Sequence, residues 1–140
     1  MKPYHLGHRI NILGRVLSKR LHEGISATGI TSSQWPVIAR LLYCNGLTQT
    51  EICEQLSIEA PAISKTICNL EAAGWVIRST DDKDKREKKV TLTDKARSHL
   101  PIWLQTVIDL ETQELKGISN EDLVIFNRVL EQILQNSKDH

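Results

Sequence analysis

The chain has 140 residues, 40% of them hydrophobic and 25% charged, with a formal net charge of +1. That length suffices to bury one core, and that composition is ordinary for a globular domain. No run of about 18 apolar residues occurs, which excludes a membrane-spanning helix, and a net charge near zero makes no case by itself for a polyanionic partner.

The start, Met1-Lys-Pro-Tyr-His-Leu-Gly-His-Arg9, lacks the apolar stretch of a secretory signal, so the expected location is the cytoplasm. Cys44, Cys53 and Cys68 form no CxxC pair, and an odd number without a secretory signal argues against a disulfide framework. They are expected within helices as small apolar core residues; a redox thiol would need an electropositive, accessible setting. Charge is unevenly spread. Residues 1–64 sum to +2, residues 65–97 to +3 and residues 98–140 to −4, which directs a positive field at the middle of the chain.

Leu6, Ile10, Leu13, Leu17 and Leu21 recur at helical spacing and predict a helix over about Tyr4 to Ser26, broken by Gly24 and Gly29. Thr31-Ser-Ser-Gln34 has the form of a capping box and opens a second helix to about Cys44, with Pro36 making its start irregular. Thr48-Gln-Thr-Glu51 is a second capping box, opening a short helix to about Leu56. After a turn at Ser57-Ile58, a longer helix begins near Glu59 or Ala60, tolerates Pro61 in its first turn and ends at Ala73 before Gly74. Its Ile63, Ile67 and Leu70 point inward. Ala60, Ala62, Ser64, Lys65 and Asn69 are left outside.

Trp75–Thr80 and Lys88–Leu92 are two β-prone runs joined by Asp81-Asp-Lys-Asp-Lys-Arg-Glu87, a loop without an apolar residue. Thr93 or Asp94 caps a fifth helix with a bend at Pro101, and Gly117 ends it. Ser119-Asn-Glu-Asp122 caps a last helix striped by Leu123, Phe126, Leu130, Ile133 and Leu134. The fold class is therefore mainly α with a small β-wing. A winged helix-turn-helix, a shape that places one helix in the DNA major groove, is flanked by terminal helices whose stripes call for a second chain.

Three segments carry a family likeness: Leu56-Ser-Ile-Glu-Ala-Pro-Ala-Ile-Ser-Lys65, Leu70-Glu-Ala-Ala-Gly-Trp-Val-Ile-Arg78 and Asp84-Lys-Arg-Glu-Lys-Lys-Val-Thr-Leu-Thr93. Jointly they resemble the MarR/SlyA family of winged-helix transcription regulators over nearly the whole chain. Ala96 stands where many members carry glycine, and Lys65 where arginine is common. The resemblance implies a single domain, with a winged helix-turn-helix lobe over about 31–96 and dimerisation helices over about 4–27 and 97–137. It further implies a homodimer on double-stranded DNA, with Glu59–Ala73 in the major groove and Arg86 in the minor groove. A cleft for a small aromatic or anionic effector is also implied.

Residue by residue, Lys65 is expected to meet guanine or phosphate, against the alternative of plain solvated surface. Ala60, Pro61, Ala62, Ser64 and Asn69 complete the recognition face, although Pro61 also simply starts the helix. Thr48 and Gln49 are candidate phosphate anchors, and capping alone explains them equally well. In the wing, Arg86 is drawn to a narrow A·T-rich minor groove, Asp84 pairs with Arg78 or Arg86, and Lys83, Lys85, Lys88 and Lys89 supply sequence-blind attraction. His5, His8 and Trp35 are candidates for the effector cleft; the alternative is a core tryptophan and surface histidines. His22, His99 and His140 are scattered, and no HExxH, GxSxG or phosphate loop occurs, so no enzyme, metal or cofactor is expected. The expected function is a DNA-binding transcription regulator, usually a repressor in this family. A winged-helix module docking other proteins, and a thiol- or metal-responsive regulator, are the alternatives.

Overall fold

The computed structural model describes residues 5–80 and 88–138. In chain order the elements are α1 (Leu6–Ile25), a 3-10 turn at Ser26–Thr28, α2 (Trp35–Leu41), β1 (Leu47–Thr48) and α3 (Gln49–Leu56). These are followed by α4 (Ala60–Ala72), β2 (Val76–Thr80), β3 (Lys88–Leu92), α5 (Asp94–Glu114) and α6 (Asn120–Lys138). The chain divides into two compact units, Met1–Ile108 and Asp109–His140, and α5 runs from the first into the second.

The first unit holds the core. Ile63, Ile67 and Leu70 of α4 and Ile52 of α3 are buried together with Val37, Ile38 and Leu41 of α2. The antiparallel sheet, in order β1-β3-β2, closes one side with Val76, Val90 and Leu92, the inward members of each alternation. Register is set by Leu47 opposite Val90 and by Val76 opposite Leu92. Trp103 of α5 is fully buried and its indole N–H donates to Thr28 O at 3.4 Å, tying α5 to the turn after α1.

Several boundaries differ from the sequence expectation. Gly24 lies inside α1; the helix ends through the 3-10 turn, where Gly29 at φ 98° takes the left-handed conformation. The Thr31–Gln34 box does form, with the Thr31 amide donating to Gln34 Oε1 at 2.9 Å and the Gln34 amide to Thr31 Oγ1 at 3.2 Å. It closes only a turn, however, and α2 begins at Trp35. Pro36, which has no N–H, occupies its start. Because α2 stops at Leu41, Cys44 sits outside any helix. β1 was not expected: two residues are too few for any periodicity to show. β2 starts one residue late because the Trp75 amide is already donating to Leu70 O at 2.9 Å in the closing turn of α4. α5 continues through Pro101.

In the second unit, Gly117 at φ 82° closes α5 and Ser119 opens α6 by accepting from the Asp122 amide at 3.1 Å. α6 has no buried residue. Val124, Ile125, Phe126, Val129 and Leu134 are all exposed in the isolated chain.

Candidate nucleic-acid interface

The helix-turn-helix is α3, the turn and α4. α3 starts on a full capping box: the Glu51 amide donates to Thr48 Oγ1 at 3.1 Å, and the Thr48 amide to Glu51 Oε1 at 3.0 Å. The bond from the Thr48 amide, then the Thr48 side chain, holds the Glu51 carboxyl below its ordinary value, and the Lys89 charge adds to this. Lys89 stands directly opposite Thr48 in the β1–β3 pairing. The start of α3 and the strand leading out of the wing are thus joined by the β1–β3 pairing.

The turn is made by Ser57 at φ 53°, the one described non-glycine residue with positive φ. Both the Ser57 and Ile58 amides donate to Cys53 O, which stops α3 and redirects the chain. Gln49 then links the two helix starts, its carboxamide N donating to Ala60 O at 3.4 Å. Its side chain is turned toward α4, a positioning contact that capping logic alone did not suggest.

On α4 itself, Ala60, Pro61, Ala62, Lys65 and Asn69 are exposed and Ser64 is half-buried. Pro61 lies in the first turn, and the N-cap Glu59 makes no side-chain cap. The far end is held more firmly. Amides of Ala73, Gly74 and Trp75 close on Asn69, Glu71 and Leu70 carbonyls, with Gly74 at φ 82°. Thr93 Oγ1 donates to Gly74 O at 2.7 Å and accepts from the Ala96 amide at 3.1 Å, so one hydroxyl joins the end of α4 to the start of α5. Lys95 Nζ donates to Ala73 O at 2.7 Å and lies 4.2 Å from the Trp75 ring centroid, a cation at the negative end of the helix. Trp75 also packs edge-on against His99 and Trp103, at centroid distances of 4.8 and 4.9 Å.

Of the wing residues, Lys88 is exposed at the start of β3. Lys83, Asp84, Lys85 and Arg86 lie outside the described residues. Arg78, one of the two partners expected for Asp84, reaches α4: its Nη2 donates to Cys68 Sγ at 3.3 Å, and its Nε lies 3.8 Å from Glu71 Oε2. The expectation that all three cysteines are buried in helices is corrected here. Cys68 is exposed, and Cys44 and Cys53 are half-buried. Cys68 falls on the outer side of α4 because Ile67 and Leu70 take the inner one. His5 and His8 are exposed, and Trp35 is a core side chain with 9% exposure.

Comparison with known proteins agrees with this geometry. A model of the MarR family matches residues 28–87. The HTH-type transcriptional regulator YwoH of Bacillus subtilis (strain 168), itself uncharacterised, is 36% identical over 131 residues, covering 94% of this chain and 95% of that protein. Among solved structures, a MarR/EmrR family regulator from Acinetobacter sp. ADP1 superposes with a TM-score of 0.90 at 20% identity, covering 98% of this chain and 97% of that one. A MarR family regulator from Listeria monocytogenes, complexed with a 26mer DNA, gives 0.88 at 20% identity, with 94% and 88% covered.

Proposed function

The chain belongs to the MarR family of transcriptional regulators, and from that premise we propose that it is a homodimeric repressor binding double-stranded DNA at a pseudo-palindromic operator. The observation that carries this reading is the outer face of α4. Ala60, Pro61 and Ala62 leave its first turn free of bulk, and Lys65 projects one turn further along. Small residues let a helix backbone approach the groove floor, and a lysine there donates to guanine O6 and N7 or to a phosphate. Thr48, paired with Lys89, supports a phosphate anchor at the start of α3. Arg86 in the wing loop is the residue suited to the minor groove.

Dimerisation is supported by apolar side chains that the single chain leaves in water: Leu6, Ile10, Leu13 and Leu17 on α1, and Phe126 and Val129 on α6. Exposed apolar stripes on helices mark interaction surfaces. Two recognition helices related by a two-fold axis reach half-sites about one helical turn apart, roughly 10 bp. A small aromatic or anionic effector would act by favouring a separation of the two lobes that mismatches the duplex. It would meet the exposed His5 and His8 before the core residue Trp35. No catalytic step is assigned; the family and the relatives are regulators.

The test is selection of bound duplexes from a random library at physiological salt, with the solution mass measured in parallel. Recovery of an A·T-rich inverted repeat with half-sites about one turn apart is the expected outcome. Recovery of nothing above background by a folded dimer would overturn the reading in favour of a winged helix that docks proteins.

A further inference from the structure

Arg78 occupies an unusual place. It is the third residue of β2, opposite Val90, on the face of the strand that also carries the buried Val76. At that position the pattern calls for an apolar side chain. Instead a guanidinium is drawn under the sheet, 26% exposed, with its Nε shielded from solvent and without a hydrogen-bond partner. Shielding such a group is unfavourable unless the charge is used, and an apolar residue would serve packing better. What the guanidinium does is span two elements: Nη2 donates to Cys68 Sγ at 3.3 Å, and Nε lies 3.8 Å from Glu71 Oε2, an ion pair beyond hydrogen-bond range. Cys68 and Glu71 are three apart on α4 and so share one helix face, and Cys68 lies three residues after Lys65.

We infer that Arg78 is a positioning residue for DNA recognition, a strut that fixes the wing strand to α4 so that the major-groove helix and the wing engage the duplex in one rigid geometry. The inference rests on the DNA-binding reading above. It assigns to Cys68 the role of hydrogen-bond acceptor for that strut, with no direct contact to DNA. Among the described residues β2 is otherwise tied to α4 through the turn at Gly74, which Thr93 also holds, and the Arg78 contacts lie two strand residues beyond Val76, so loss of the strut loosens the wing strand without opening the core.

The test measures affinity for the selected operator across a series of salt concentrations for wild type, Arg78→Gln, Cys68→Val, Cys68→Ser and the Arg78→Gln/Cys68→Val double variant. Arg78→Gln is expected to weaken binding about 10-fold and Cys68→Val several-fold, the double variant being no worse than Arg78→Gln alone, as coupled partners require. Cys68→Ser, which keeps an acceptor, should recover most of the Cys68→Val loss. The slope of log Kd against log salt should stay unchanged, since no phosphate contact is removed. A slope lowered by about 1 in Arg78→Gln, with Cys68→Val silent, would make Arg78 a phosphate contact and overturn the inference. Additive losses would overturn it as well. If Arg78→Gln fails to fold, the contrast between Cys68→Val and Cys68→Ser decides. Wild type that binds no duplex removes the DNA-binding reading and this inference together; wild type that binds while Cys68→Val is unchanged removes this inference alone.

Discussion

Gly46 offers the sharpest quantitative test of how β1 is seated. It precedes Leu47 with φ at 125°, a conformation that L side chains rarely adopt. A Cβ built there would lie 2.8 Å from Thr91 Cγ2, 3.3 Å from Lys89 Cβ and 3.3 Å from Val90 O. Gly46→Ala therefore carries two separable costs. Backbone strain at such a φ amounts to about 1–3 kcal/mol. Crowding against β3 adds roughly 1–2 kcal/mol, in the lower part of the range for overpacking. A chain of 140 residues loses about 3 °C in Tm per kcal/mol, so the melting temperature should fall by roughly 6–15 °C. Thermal unfolding followed by circular dichroism at one fixed protein concentration measures this, the concentration being fixed because the proposed dimerisation would be linked to stability. Thr91→Ser separates the two costs, because it deletes the Cγ2 at 2.8 Å while leaving φ and the 3.3 Å contacts in place. In the Gly46→Ala background it should restore about a third of the loss. A Gly46→Ala protein melting within about 1 °C of wild type would refute the β1–β3 seating described here.

Four further outcomes are expected. Lys65→Ala should weaken operator binding by about 1–3 kcal/mol and relax preference at one base pair if the contact is to guanine; a uniform loss across sequences with a lowered salt slope would assign it to phosphate, as equilibrium titrations on operator variants will distinguish. Thr48→Ala removes the side-chain half of the capping box and should cost about 1 kcal/mol in a denaturant titration. Glu51 has a folded pKa depressed below its ordinary value of 4.5, so its stabilisation is present above that pH and is lost as pH falls through the folded value. The effect should be small, as the carboxylate is solvent-exposed, and Glu51→Gln should abolish it. In a native thiol titration Cys68 should react first, with Cys44 and Cys53 slower; three equally slow thiols would contradict the exposure of Cys68.

The sequence made most of α3, α4 and the sheet legible because each carries a local signal. The Thr48–Glu51 box is a four-residue device, Ile63, Ile67 and Leu70 are a helical period, and Gly74 is a left-handed stop. What it hid depends on contacts between distant residues. β1 exists only because Leu47 and Thr48 find Val90 and Lys89. Cys68 reads as an apolar residue until the buried neighbours Ile67 and Leu70 fix the rotation of α4. Arg78 reads as a wing charge, and its direction under the sheet is set by strand alternation together with the proximity of α4. Gln49 reads as a phosphate anchor by its place at a helix start, and only the fold shows its carboxamide on Ala60 O.

The recognition helix is fixed by its neighbours at three levels. At its start Gln49 of α3 holds Ala60 O, at its middle Arg78 of β2 holds Cys68, and at its end Thr93 and Lys95 at the start of α5 hold Gly74 O and Ala73 O. The bonds at the end are the shortest of these, both 2.7 Å, and the Lys95 ammonium gains further from the helix C-terminus and the Trp75 ring. A displacement of the first turn of α5 therefore carries the end of α4 with it. Moving α5 without moving α4 would leave the carbonyls of Ala73 and Gly74 unpaired, whereas moving both together breaks nothing in the turn. Since α5 also runs into the second unit, whose α6 leaves its apolar side chains exposed, in the proposed dimer a shift of α5 would reach α4 most directly through Thr93 and Lys95. Lys95, on the first turn of α5, thus makes the end of α4 follow α5 through Ala73 O and the Trp75 ring.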